Sequence, residues 1–136
     1  MTTEVQVAVE DRVTTHVMAA RIDTARGRLL ELHRALVEVD RRAYERVHGR
    51  LTAGALLDNL IHHPVFAWLR PLSTLIAETD DRGRASRTPS EWLAAARALL
   101  TADPEGGEFQ RRYAERLQRS PEVVVAHAAA RRVLGR

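Results

Sequence analysis

Residues 22–48 read IDTARGRLLELHRALVEVDRRAYERVH, and the spacing of their apolar side chains decides the fold. Ile22, Ala25, Leu29, Leu32, Leu36, Val39 and Ala43 recur at three- and four-residue steps, which puts them on one seam of a long helix. Leu30, Val37 and Tyr44, seven residues apart, widen that seam to the breadth of a globular core face. Glu38 and Arg42 add an i,i+4 ion pair on the outside. Gly49 directly after His48 supplies a stop, and Gly27 is a candidate break within the helix.

Working outward, every later segment carries helix signals. Thr52 caps a helix over 53–62, in which Ala53, Leu56, Leu57, Leu60 and Ile61 share a face. Pro64 suits the first turn of a third helix running to about Asp80, with Val65, Trp68, Leu69, Leu72, Leu75 and Ile76 inward. Pro71 falls inside that pattern and is expected to kink or divide it, because proline removes a backbone donor and clashes with the carbonyl four residues earlier. Residues 80–88 (DDRGRASRT) form a loop, and Thr88-Pro89-Ser90-Glu91 has the form of a capping box. Asp103–Pro104 and Ser120–Pro121 repeat the cap-then-proline signature, with Gly106–Gly107 delaying the first. Short connections between amphipathic helices imply neighbouring antiparallel packing. The expectation is an all-α, single-domain bundle of five to six helices spanning 21–136, with the first helix long. Residues 1–20 read either as a tail or as an extra helix: Val5, Val7 and Val9 alternate like a strand, whereas Val5, Val9, Val13 and Val17 have helical spacing.

The composition narrows the function. One chain of 136 residues, 45% hydrophobic and 29% charged, is ordinary for a globular domain with its own core. The absence of cysteine excludes disulfides, thiolate catalysis and cysteine-held metals. No apolar run reaches the roughly 20 residues of a membrane span, and the first residues lack a signal peptide's basic start and apolar stretch, so a cytoplasmic protein is expected. All 21 basic side chains are arginine, which together with abundant Ala, Leu and Val suggests a GC-rich bacterial genome. With nothing to titrate between tyrosine and arginine, a net charge of only +3 yields a pI near 10.4, so the pI is no argument for nucleic acid. The arginine groups 82/84/87, 111/112/116/119 and 131/132/136 are read as solvated faces or helix ends, and nucleic-acid binding ranks last.

With no cysteine present, histidine is the ligand type considered for a metal site. Glu45-Arg46-Val47-His48 is the single Glu-x-x-His match, where a di-iron bundle needs two, and no His-Glu-x-x-His occurs. His33, His63 and His127 each flank an apolar face and would form a three-histidine site for zinc, iron or haem if the bundle brought them together. The simpler reading is that each is hydrogen-bonded to a neighbour, and no cofactor is expected. There is no serine-nucleophile elbow, phosphate-binding loop or dinucleotide fingerprint, so the sequence leans away from an enzyme. In the corner LIHHPVFAWLRPLS (60–73), Phe66, Trp68 and Arg70 form the candidate interaction surface, for an unknown protein partner or a second copy.

The stretch from about Leu29 to Asp80 resembles a group of small bacterial helical proteins of no assigned function. It does so through Tyr-Glu-x-Val-His-Gly (Tyr44–Gly49) and Phe-x-Trp-Leu-x-Pro-x-Ser (Phe66–Ser73). The resemblance implies a helical unit whose signature is the 62–73 corner, and it implies no activity. The expected role is therefore a non-catalytic binding module acting as a homodimer, with a histidine-ligated metal or haem protein as the alternative.

Overall fold

The computed structural model describes residues 2–80 and 87–135, with the backbone alone described for residues 2–8 and 11. The described residues form seven helices and no strand: α1 Thr2–His48, α2 Ala53–His62, α3 Pro64–Ala67, α4 Arg70–Glu78, α5 Pro89–Leu99, α6 Glu108–Arg119 and α7 Pro121–Leu134. The long first helix stops where glycine lets it. Gly49 takes φ +86°, and its N–H donates to the Glu45 carbonyl at 2.9 Å. Gly27 does not interrupt α1. Residues 2–20, read from sequence as tail or separate helix, are the beginning of α1 itself.

Local chemistry sets the remaining boundaries. Thr52 accepts from Ala55 N (3.1 Å), Thr88 from Glu91 N (3.2 Å) and Ser120 from Val123 N (3.3 Å), so side-chain oxygens occupy donors that each helix start leaves unpaired. In the capping box the Thr88 hydroxyl also lies 3.1 Å from Glu91 Oε1. Asp103 caps only a turn, accepting from Glu105 N at 2.9 Å, and α6 begins after Gly107. The expected third helix is two helices. Pro71 lacks an N–H and its ring excludes the Ala67 carbonyl, so Leu69 N and Leu72 N bond three residues back, to Phe66 O (3.2 Å) and Leu69 O (3.1 Å). With that division at Trp68–Leu69 the described residues form seven helices, where five to six were expected.

One core runs through the bundle. Ala25, Leu29, Leu32 and Leu36 of α1 are all 0–1% exposed and meet Leu72, Leu93, Val123, Ala130 and Leu134. The α1–α7 pair is the most extensive contact, with α3, α4 and α5 also packed on α1. Arginines tie the end of this pair. Arg21 donates to Val133 O (3.0 Å) and Leu134 O (2.8 Å), and Arg97 donates to Leu134 O (3.0 Å), which places cations at the negative end of α7.

Candidate interaction surface

The corner between α1 and α4 is built on aromatic rings. His63 ends α2 and caps α3, its Nδ1 accepting from Val65 N at 3.1 Å. The same ring stands edge-on to Tyr44 of α1, with centroids 5.3 Å apart, and Tyr44 also contacts His48 (4.5 Å) and Phe66 (6.2 Å). The double-histidine stretch is therefore a helix junction held by ring packing.

Phe66 and Trp68 are not a surface. They are 1% and 4% exposed, which overturns their assignment as exposed interaction residues; Arg70 alone of the three is exposed. In one continuous helix, residues two apart point about 200° away from each other, so one of this pair would face out. The break at Trp68–Leu69 turns both inward. Phe66 packs on Tyr44, and Trp68 packs on Phe109 (5.4 Å).

Trp68 also reaches the most unusual group in the core, Asp40, which is 3% exposed. Trp68 Nε1 donates to Asp40 Oδ2 at 2.7 Å, and Arg116 Nε of α6 donates to Oδ1 at 3.0 Å. The Arg116 guanidinium lies 4.9 Å from the Trp68 ring centroid, a cation–π contact that closes the triad. Both carboxylate oxygens are thus satisfied, and three distant segments are fixed to one another. Pattern-reading passed over this cluster, although Asp40 stands one turn after Leu36 and one turn before Tyr44, where a charge interrupts the apolar stripe.

The candidate metal ligands are held apart by different partners. His33 Nε2 lies 3.0 Å from Ser73 Oγ, His63 caps α3, and Nδ1 of His127 shares a 2.5 Å hydrogen bond with the Tyr113 phenol. Among the described residues, no three His, Asp or Glu side chains are grouped to hold a metal ion. Burial lowers the pKa of His33, and burial together with the Arg131 charge lowers that of His127, so both rings favour the neutral form. Burial raises the Tyr113 pKa, opposed in part by Arg131.

The exposed apolar side chains lie elsewhere. α2 buries no residue, although most of it is apolar. Leu56 and Leu60 are half-buried against the core, whereas Leu57 and Ile61, one turn apart, are 60% and 55% exposed. Val65, four residues on, is 40% exposed. On α1, every residue with a described side chain from Val9 to Val17 is exposed, including Val9, Val13 and Val17 at four-residue steps. A cleft of about 390 Å³ opens between this part of α1 and the start of α5, with Met18, Ile22 and Trp92 in its lining and the Glu78–Arg87 pair (3.5 Å) beside them.

No family model, curated protein or solved structure matches this chain. Among the described residues, no helix is long and apolar enough to cross a membrane.

Proposed function

We propose that this protein is a non-catalytic binding module of the bacterial cytoplasm that works as a homodimer. One observation carries the reading: α2 is an apolar helix that rests Leu56 and Leu60 on the core, buries no residue fully, and presents Leu57 and Ile61 outward. Leaving two branched aliphatic side chains in water forgoes about 1.5–3 kcal/mol each, a cost that a partner covering the ridge recovers. The first part of α1 supports the dimer. Residues 2–17 are rich in Val and Thr, which are weak helix formers, and none of the described residues of the bundle covers Val9, Val13 or Val17. A second α1 laid against these valines would supply the packing that intrinsic propensity does not.

Sedimentation velocity tests the assembly. Wild-type protein is expected at twice the 15.3 kDa chain mass, and a Val9→Glu/Val13→Glu/Val17→Glu variant at the mass of one chain. A wild-type monomer at ~100 µM, far above the micromolar range of ordinary specific complexes, would remove the homodimer.

A further inference from the structure

We infer that the cleft between α1 and the start of α5 binds an uncharged, largely apolar small molecule that carries a hydrogen-bond donor. The cleft is lined from within one chain, so the site does not depend on the homodimer.

The sequence explains why space is left there. The core seam of α1 runs from Leu32 through Leu29 and Ala25 to Ile22. One turn nearer the N-terminus the same face carries Met18 and Ala19, and a turn further Thr14 and Thr15. Leucine thus gives way to small or hydroxyl-bearing residues, and the face no longer fills the gap before it. The far wall comes from the end of α4 (Glu78, Thr79) and the start of α5 (Pro89, Ser90, Trp92). A volume of about 390 Å³ remains, within the roughly 300–1,000 Å³ of small-molecule sites. Trp92 is 4% exposed and spends its Nε1 on the Leu75 carbonyl at 2.8 Å, so it contributes ring surface to the lining.

Charge and hydrogen bonding define the occupant. Among the described residues of the lining, the charged side chains are Glu78 and Arg87, which lie 3.5 Å apart and offset one another. A charged ligand would shed its water there with no unmatched opposite charge to receive it. The hydroxyls set the polar end. Thr14 donates to the Glu10 carbonyl (2.8 Å), Thr79 to the Ile76 carbonyl (2.7 Å) and Thr88 to Glu91 Oε1 (3.1 Å). Their protons are committed and their remaining lone pairs accept, so the complementary ligand donates.

The test titrates the full chain with N-phenyl-1-naphthylamine, whose fluorescence rises in apolar surroundings. This probe joins two aromatic units through one N–H and carries no charge. Saturable binding of one probe per chain is expected, with a Kd on the order of 10 µM. The same skeleton bearing a sulfonate, 8-anilinonaphthalene-1-sulfonate, should bind at least tenfold more weakly. Ala19→Trp, which fills the cleft, and Met18→Lys, which sets an unmatched charge in its lining, should each weaken probe binding at least tenfold. Circular dichroism checks that each variant folds, and either one alone suffices as the test. Leu57→Ser/Ile61→Ser and Val9→Glu/Val13→Glu/Val17→Glu alter the other exposed apolar faces and should leave the Kd within about twofold. Absence of saturable binding, or a sulfonated probe that binds as tightly as the neutral one, would overturn the inference. So would binding that survives both cleft variants, or that is lost in the α2 or valine variant instead.

Discussion

Replacing Asp40 by alanine strips two donors of their acceptor at once, and the structure lets the cost be worked out. The Trp68 indole N–H, in a side chain 4% exposed, loses its 2.7 Å bond and has no water to turn to. An unsatisfied buried donor costs about 1–3 kcal/mol. Arg116 loses its 3.0 Å partner, but its side chain is 16% exposed and also sits 3.5 Å from Glu115, so its loss is smaller than that of a sealed cation. Breaking a fully buried pair from one side costs about 3–5 kcal/mol, and this partial access to water points to the lower end, about 3 kcal/mol. In a chain of 136 residues that corresponds to a fall in Tm of about 10 °C. Urea unfolding is the suitable assay, because guanidinium is itself a salt and would screen the pair. Arg116→Met should cost a similar amount by leaving the carboxylate buried with one donor. The double variant Asp40→Leu/Arg116→Met should lose less than the sum, with a coupling above about 1.5 kcal/mol. An Asp40→Ala loss under 1 kcal/mol, or strict additivity in the cycle, would refute the claim that this triad fixes α1, α3 and α6 together.

Single sites make further tests. Gly49→Ala should lose about 1–2 kcal/mol in urea unfolding, because its φ of +86° is costly for any side chain. Gly27→Ala should gain about 0.5–1 kcal/mol in the same assay, since an added methyl meets nothing within 4 Å on an exposed helix. Thr88→Ala and Ser120→Ala should each lose about 1 kcal/mol through the missing N-cap, read from the urea midpoint. For pH, the folded pKa values of His33 and His127 lie below the unfolded value of about 6.5. The unfolded chain therefore takes up protons first, and stability present above pH 6.5 is lost as pH falls through that value. His127→Gln should flatten this slope in urea midpoints collected between about pH 7.5 and 5, and an unchanged slope would exclude His127 as its source.

Helix boundaries were legible in the sequence because their causes are local. Thr52, Thr88 and Ser120 each cap a helix through a backbone N–H three residues on, and Pro71 divides a helix through its own ring. The all-α core was legible for a similar reason, since a seam at three- and four-residue steps describes one face of one helix. Long-range contacts stayed hidden. The Asp40–Arg116 bond joins residues 76 apart, and nothing in either neighbourhood announces the other. Periodicity placed Leu57 and Ile61 on an apolar face, but whether another element covers that face is a property of the assembled bundle. Phe66 and Trp68 were misread because a break of two residues redirects every side chain beyond it. The length of α1 escaped notice because the described side chains from Val9 to Val17 are exposed, so helical spacing there marks no core face. The candidate metal site failed on direction. His33, His63 and His127 each flank apolar seams, but each finds its own partner before it could find the other two.

A helix of 47 residues is about 70 Å long, whereas a compact chain of this size has a radius of gyration of only about 14 Å. Such a molecule tumbles and diffuses as a rod with a knob on it. X-ray scattering should show a pair-distance distribution tailing to about 70 Å, with strongly anisotropic rotational diffusion to match. If two such rods join through their first turns, the bundles they carry are held at opposite ends of a stiff bar, and α1 sets the distance between the two bundles.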